Sequence, residues 1–235
     1  DLFSGAGGMT EGLKMAHFKT KYAFEIDSVA SMTYKLNHNK TKIYTQDIRT
    51  VDTYTIKKSL GGKTIHLLAG CPPCQGFSSI RRLNRDKPVD DERNSLINEY
   101  VRFINDLRPY TIMLENVPGL AMSDDFHRAI EFFHKIGYYI EYDILNVKDY
   151  GVPQSRKRLV MVGSRLGKIS IAKPTHEICT VRSSIANLPL PEESDDVIHK
   201  IYPHHIQRIQ NLIKQIPHNG GSLRDLGEEW QLDCH

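Results

Sequence analysis

The chain has 235 residues, of which 40% are hydrophobic and 25% charged, and its net charge is +3 at pH 7. No run approaches the roughly eighteen apolar residues of a membrane helix, and four cysteines do not make a disulfide framework at this length. A membrane-spanning helix and a disulfide-stapled scaffold are thereby excluded, a reducing cytoplasmic setting is expected, and the small positive charge permits a polyanionic partner without requiring one.

Asp1-Leu2-Phe3-Ser4-Gly5-Ala6-Gly7-Gly8 opens on the last residues of a strand and passes into a glycine loop. Three glycines in four positions let the backbone turn tightly and approach a ligand closely. Thr10 to Ala16 then starts a helix whose free N–H groups face that loop. Strand, glycine loop and helix together form a cofactor cradle, although the GxGxxG spacing of a dinucleotide site is incomplete.

Tyr22 to Asp27 is predicted as a second strand, and Ser28 to His38 as a helix capped by Ser28. Glu25 lies about twenty residues beyond the glycine loop, where a carboxylate grips ribose hydroxyls, or else it is an exposed loop-edge glutamate. Lys42 to Ile48 is a third short strand, again ending in an acid followed by isoleucine. The repeated acid and isoleucine, Glu25 with Ile26 and Asp47 with Ile48, suits a nucleoside: carboxylates for its polar edges, isoleucines around its flat base.

Thr64 to Ala69 is a strand, and Gly70-Cys71-Pro72-Pro73-Cys74-Gln75-Gly76-Phe77-Ser78 leaves it abruptly, because proline suits neither helix nor ladder. A thiol here sits at the carboxyl end of a parallel strand, where open α/β sheets bind ligands. Cys74 is therefore a candidate nucleophile, with a buried structural cysteine and a zinc or redox CxxC pair as the alternatives. Ser79 to Arg93 is long, polar and aperiodic, which predicts a mobile loop that is either solvated or closes over a polyanion.

From Asn94 a helix follows, with Leu96, Ile97, Tyr100, Val101, Ile104 and Leu107 on one stripe, stopped before Pro109. Tyr110 to Gly119 contains a strand ending in Glu115-Asn116-Val117. A glutamate there needs a partner or a raised pKa, so Glu115 is either a proton-handling group or a satisfied structural residue. Asp124 to Ile136 is an amphipathic helix, Tyr138 to Leu145 a strand, and Arg158 to Gly163 its neighbour. Arg156 and Arg158 stand two apart, on one side of an extended segment. They suit a carboxylate, a phosphate or a base edge, or form a plain basic edge. Beyond residue 165 prolines and an acidic run mark a second, smaller unit, with a helix over His204 to Ile216. Neither end looks like a natural terminus, and a segment of a longer protein is expected.

Taken together, these stretches resemble the DNA (cytosine-5)-methyltransferase family. The family's cofactor loop matches Asp1–Gly8, its Pro-Cys-Gln motif Gly70 to Ser78, its Glu-Asn-Val motif Glu115 to Val117, and its Gln-x-Arg-x-Arg motif Gln154 to Arg158. The resemblance implies a doubly wound, mostly parallel α/β sheet of the class I S-adenosylmethionine-dependent methyltransferases over residues 1–165, and the beginning of a target-recognition domain over 166–235. It implies that Cys74 attacks carbon 6 of a flipped-out cytosine while Glu115, Arg156 and Arg158 stabilise the activated base. S-adenosyl-L-methionine would contact Phe3, Gly5, Ala6, Gly8, Glu25, Ile26, Asp47, Ile48 and Pro73, with no metal. The implied partner is double-stranded DNA, with a cognate restriction endonuclease acting on the same site, and the protein would act as a monomer. Transfer-RNA cytosine methylation and a non-catalytic DNA-binding paralogue are the rival readings. The family's later Arg-x-Leu and Asn-containing motifs are not in this sequence.

Overall fold

The computed structural model describes residues 1–73, 96–175, 177–218, 220–227 and Trp230. The strands are β1 (Tyr22–Glu25), β2 (Lys42–Thr45), β3 (Leu67–Gly70), β4 (Thr111–Asn116), β5 (Tyr139–Asn146) and β6 (Lys157–Ser164). β1 pairs parallel with β2, and β3 parallel with β4. Leu2 stands between these two pairs, bridging Phe24 on one side and Gly70 on the other, again in parallel. β6 runs antiparallel between β4 and β5. The order across is thus β2, β1, Leu2, β3, β4, β6, β5, an α/β sheet that is mostly parallel.

Parallel neighbours need crossover connections, and helices supply them. They are α1 (Gly8–Met15), α2 (Ser28–Asn37), α3 (Thr53–Ser59), α4 (Leu96–Leu107) and α5 (Asp124–Lys135). α4 buries Ile97, Tyr100, Phe103, Ile104 and Leu107. Phe103, absent from the predicted stripe, packs edge-on against Phe24 at 5.3 Å between ring centroids, and Tyr100 meets Phe133 of α5 at 6.2 Å. These aromatic contacts join β1, α4 and α5 in one core.

The predicted cap of α2 is corrected. Asp27, not Ser28, occupies the N-cap, and its Oδ1 accepts the amide of Ala30 at 2.7 Å; Ser28 is the first helical residue. β2 likewise stops at Thr45, and Asp47 caps the 3₁₀ turn Ile48–Thr50.

The two faces of β4 differ. Ile112, Leu114 and Asn116 are buried, and their antiparallel partners Gly163, Met161 and Leu159 are buried with them. Thr111, Met113 and Glu115 alternate with these and are only half-buried, as is Val160 opposite Glu115. One face therefore carries the apolar core, and charge is tolerated on the other.

The chain divides into two compact units, Asp1–Val181 and Arg182–His235. The division falls later than the boundary expected at residue 165, because the chain after β6 remains tied to the first unit, as where the Thr175 amide donates to the Asp149 carbonyl. The second unit contains α6 (Gln207–Gln215) and a 3₁₀ turn, Leu223–Asp225, closed by a Ser222–Asp225 capping box. Among the described residues no helix is long and apolar enough to cross a membrane.

Candidate active site at the carboxyl ends of the strands

The glycine loop leaves the sheet directly after Leu2. Phe3 has φ 58, a left-handed conformation rare for a bulky residue, and Gly5 and Gly7 follow at φ 52 and 100. The loop is pinned from β1: the Ser4 amide donates to the Phe24 carbonyl, and the Gly5 amide donates to Oε2 of Glu25 at 2.7 Å. The other oxygen of Glu25 accepts the Asp27 amide. Glu25 therefore joins the loop, the end of β1 and the start of α2.

Several features of this loop fit a bound nucleoside cofactor. A Cβ placed on Gly5 or Gly8 would meet nothing within 4 Å, so the space over the backbone is open. Ser4 Oγ is buried without a hydrogen-bond partner among the described residues, a state that normally calls for a ligand or water. Ala6 and Gly8 are exposed, Phe3 half-buried, and Ile26 is 65% exposed beside Glu25.

The acid and isoleucine pairs are not equivalent. Asp47 is bound by the Arg49 guanidinium at 2.6 Å, and that hydrogen bonding holds its carboxyl below the usual carboxylate range. Ile48 is 6% exposed and belongs to the core, so of the two isoleucines Ile26 alone offers an open apolar face.

At the other half of the site, β6 brings its amino end to the carboxyl end of β4, which only a reversed strand can do. Nε of Arg158 lies 2.8 Å from Oε1 of Glu115, so the glutamate has the partner its position demands. Arg156 is not brought to Glu115. It precedes β6, is exposed, and its main chain is held by Asn146 and Val147.

Two residues given no role by the sequence reading enter here. Asn116 is buried and its Nδ2 donates to the Pro72 carbonyl at 2.7 Å, tying the end of β4 to the Pro72-Pro73 segment. Cys71 follows Gly70, which pairs with Leu114, so it runs level with Glu115. Burial pushes its thiol up, and the Glu115 charge beside it pushes it further. The Glu-Asn spacing was a usable signal for Asn116; the strand register that faces Cys71 toward Glu115 was not visible in sequence. Half-buried Pro73 ends the described segment. Cys74 and the Ser79–Arg93 loop lie outside the described residues.

A cavity of about 760 Å³ lies elsewhere, lined by Phe18, Tyr22, Leu67 and Tyr110 toward the amino ends of the strands. Its lining includes no candidate site residue. The chemistry concentrates at the opposite end of the sheet.

Among known proteins, the chain is 31% identical to the type II methyltransferase M1.HphI of Haemophilus parahaemolyticus, over 97% of this chain and 63% of that protein. It is 35% identical to M.DdeI of Desulfomicrobium norvegicum, over 86% of this chain and 51% of that one. A prophage-encoded E. coli structure described as a DNA modification methyltransferase superposes with a TM-score of 0.68 at 30% identity, covering 80% of this chain and 54% of that chain. The chain thus spans half to two thirds of these relatives' length. The family model of the C-5 cytosine-specific DNA methylases matches residues 1–229, nearly the whole sequence. The chain belongs to that family.

Proposed function

We propose that the protein transfers a methyl group from S-adenosyl-L-methionine to carbon 5 of a cytosine flipped out of double-stranded DNA. The observation that carries this reading is the Glu115–Arg158 pair, held beside the Pro72-Pro73 segment that leads into Cys74. Carbon 5 of cytosine is a poor nucleophile, and addition of the Cys74 thiolate to carbon 6 converts the ring into an enamine-like one. Glu115 hydrogen-bonds the ring nitrogen and exocyclic amine as negative charge develops, and Arg158 holds the base oxygen. Arg156, exposed at the rim, is assigned to the same base or to the adjoining phosphate. Once carbon 5 carries the methyl group, loss of its proton to solvent restores the ring double bond and expels Cys74 as the thiolate.

The cofactor, when bound, supplies the electrophilic methyl group. Phe3, Gly5, Ala6 and Gly8 would hold it at the loop, Glu25 at the ribose and Asp47 at the adenine amine. Ile26 would cover the adenine face, Ile48 would offer only an edge, and Pro73 would close the side toward the base. No metal is assigned a role. Residues 166–235 are assigned to the beginning of a target-recognition region, and a cytoplasmic monomer sharing its site with a restriction endonuclease is the corresponding biological setting.

The test uses the full-length protein. Labelled methyl transfer to duplex DNA is expected, and Cys74→Ala should abolish it. A stable adduct on duplex DNA containing 5-fluorocytosine, which cannot lose its carbon-5 substituent as a proton, is the second expected result. Retained transfer in Cys74→Ala, or adducts on RNA alone, would overturn the assignment.

A further inference from the structure

His38 ends α2, is 8% exposed, and sits beneath the glycine loop. Its Nε2 lies 3.1 Å from the Gly7 carbonyl oxygen. That oxygen can only accept, so Nε2 must carry the proton. The contact is tight: a Cβ on Gly7 would fall 2.5 Å from Cδ2 and Nε2 of the ring. Gly7 also caps α1, and its carbonyl takes the Glu11 amide at 2.9 Å. Nδ1 of the same ring faces Glu11 at 3.9 Å. One helical turn earlier, the Tyr34 ring packs at a tilt against the His38 ring, 4.8 Å between centroids, and its hydroxyl meets Oγ1 of Thr10 at 2.8 Å. Two polar links thus run from the buried side of α2 to the underside of the loop and α1.

We propose that His38 is a positioning residue for the cofactor: by donating to the Gly7 carbonyl it fixes the backbone over which Gly5 and Gly8 leave open space. This rests on the cofactor reading above. Gly7 has φ 100, a conformation that a free loop visits among many others. A hydrogen bond from a buried, packed ring selects it and fixes the loop backbone before the cofactor arrives. His38 itself is buried against Gly7 and is assigned no contact with the cofactor.

The comparison that tests this is His38→Gln against His38→Asn. Both replace the ring with an amide, but only glutamine reaches the Gly7 carbonyl; asparagine is shorter by one methylene and leaves the larger void, whose cost a denaturant midpoint for each variant reads separately. S-adenosylhomocysteine is the probe, with affinity read by calorimetry. Gln is expected to stay within about threefold of the wild type and Asn to lose about tenfold, the scale of one hydrogen bond. Hydrogen exchange of the amides from Gly5 to Glu11, read without ligand, should be faster in Asn than in Gln. Equal exchange in the two variants, or equal affinity, would overturn the proposal. A wild type that binds no S-adenosylhomocysteine would instead overturn the cofactor reading, while the exchange comparison still decides what His38 does to the loop.

Discussion

Arg158 reaches from β6 across to Glu115 on β4, Nε to Oε1, at 2.8 Å, with side chains 19% and 32% exposed. At that partial burial desolvation offsets much of the attraction, and the pair adds at most about 1 kcal/mol to stability. Its larger value is orientation. Arg158→Ala should lower the rate of methyl transfer by about 10²–10³, as when a charge-stabilising donor is removed, and Glu115→Gln should act in the same range. Single-turnover transfer measures the rate, and a denaturant midpoint confirms that the loss is not one of folding.

Asn116 makes a different contribution. It is buried, and Asn116→Ala leaves the Pro72 carbonyl without its donor. The expected loss of stability is about 1–3 kcal/mol. Because the tie leads toward Cys74 and not to the glycine loop, adduct formation on 5-fluorocytosine DNA should slow while S-adenosylhomocysteine affinity stays unchanged.

Ile26 and Ile48 look alike in sequence and should separate in experiment. Ile48→Ala removes a core side chain and should cost about 2–5 kcal/mol of stability. Ile26→Ala, at an exposed position, should leave the melting temperature almost unmoved and weaken S-adenosylhomocysteine binding about tenfold, as expected for loss of one well-buried contact. Thermal denaturation and calorimetry on the two variants check both halves.

Cys71 supplies a pH dependence. Its folded-state pKa is raised above the ordinary value of 9.0, first by burial and then by Glu115. The folded chain therefore keeps a proton that the unfolded chain loses above that value. Stability owed to the thiol is fully present below about pH 9 and falls as pH rises further, by at most about 1.4 kcal/mol per unit. The difference in denaturant midpoint between wild type and Cys71→Ala, followed from pH 8 to 10.5, should be flat at first and then shift against the wild type.

The strands and helices of the first unit were legible from apolar runs, prolines and glycines, and the family from four motifs in order. The missing information was pairing. Asp27 and Ser28 are both good caps, and only the hydrogen bond to Ala30 decides between them. Arg156 and Arg158 share a side in an ideal strand, yet β6 begins between them at Lys157. Cys71 looked like half of a CxxC pair because its neighbour across the sheet, Glu115, lies more than forty residues away in sequence. Ile48 followed an acid just as Ile26 does, but a 3₁₀ turn rotates it into the core.

The alternating burial along β4 also shapes how this site can change over generations. Positions 112, 114 and 116 maintain the fold, and 111, 113 and 115 face the less covered side. Tolerance to substitution should therefore ripple with a period of two along β4 and, in register, along β6. New specificities can be sampled on one row without unfolding the other. A single inserted residue within β4 would exchange the two rows, placing Glu115 in the apolar core and Leu114 in the site, so this strand should accept replacements but not changes of length.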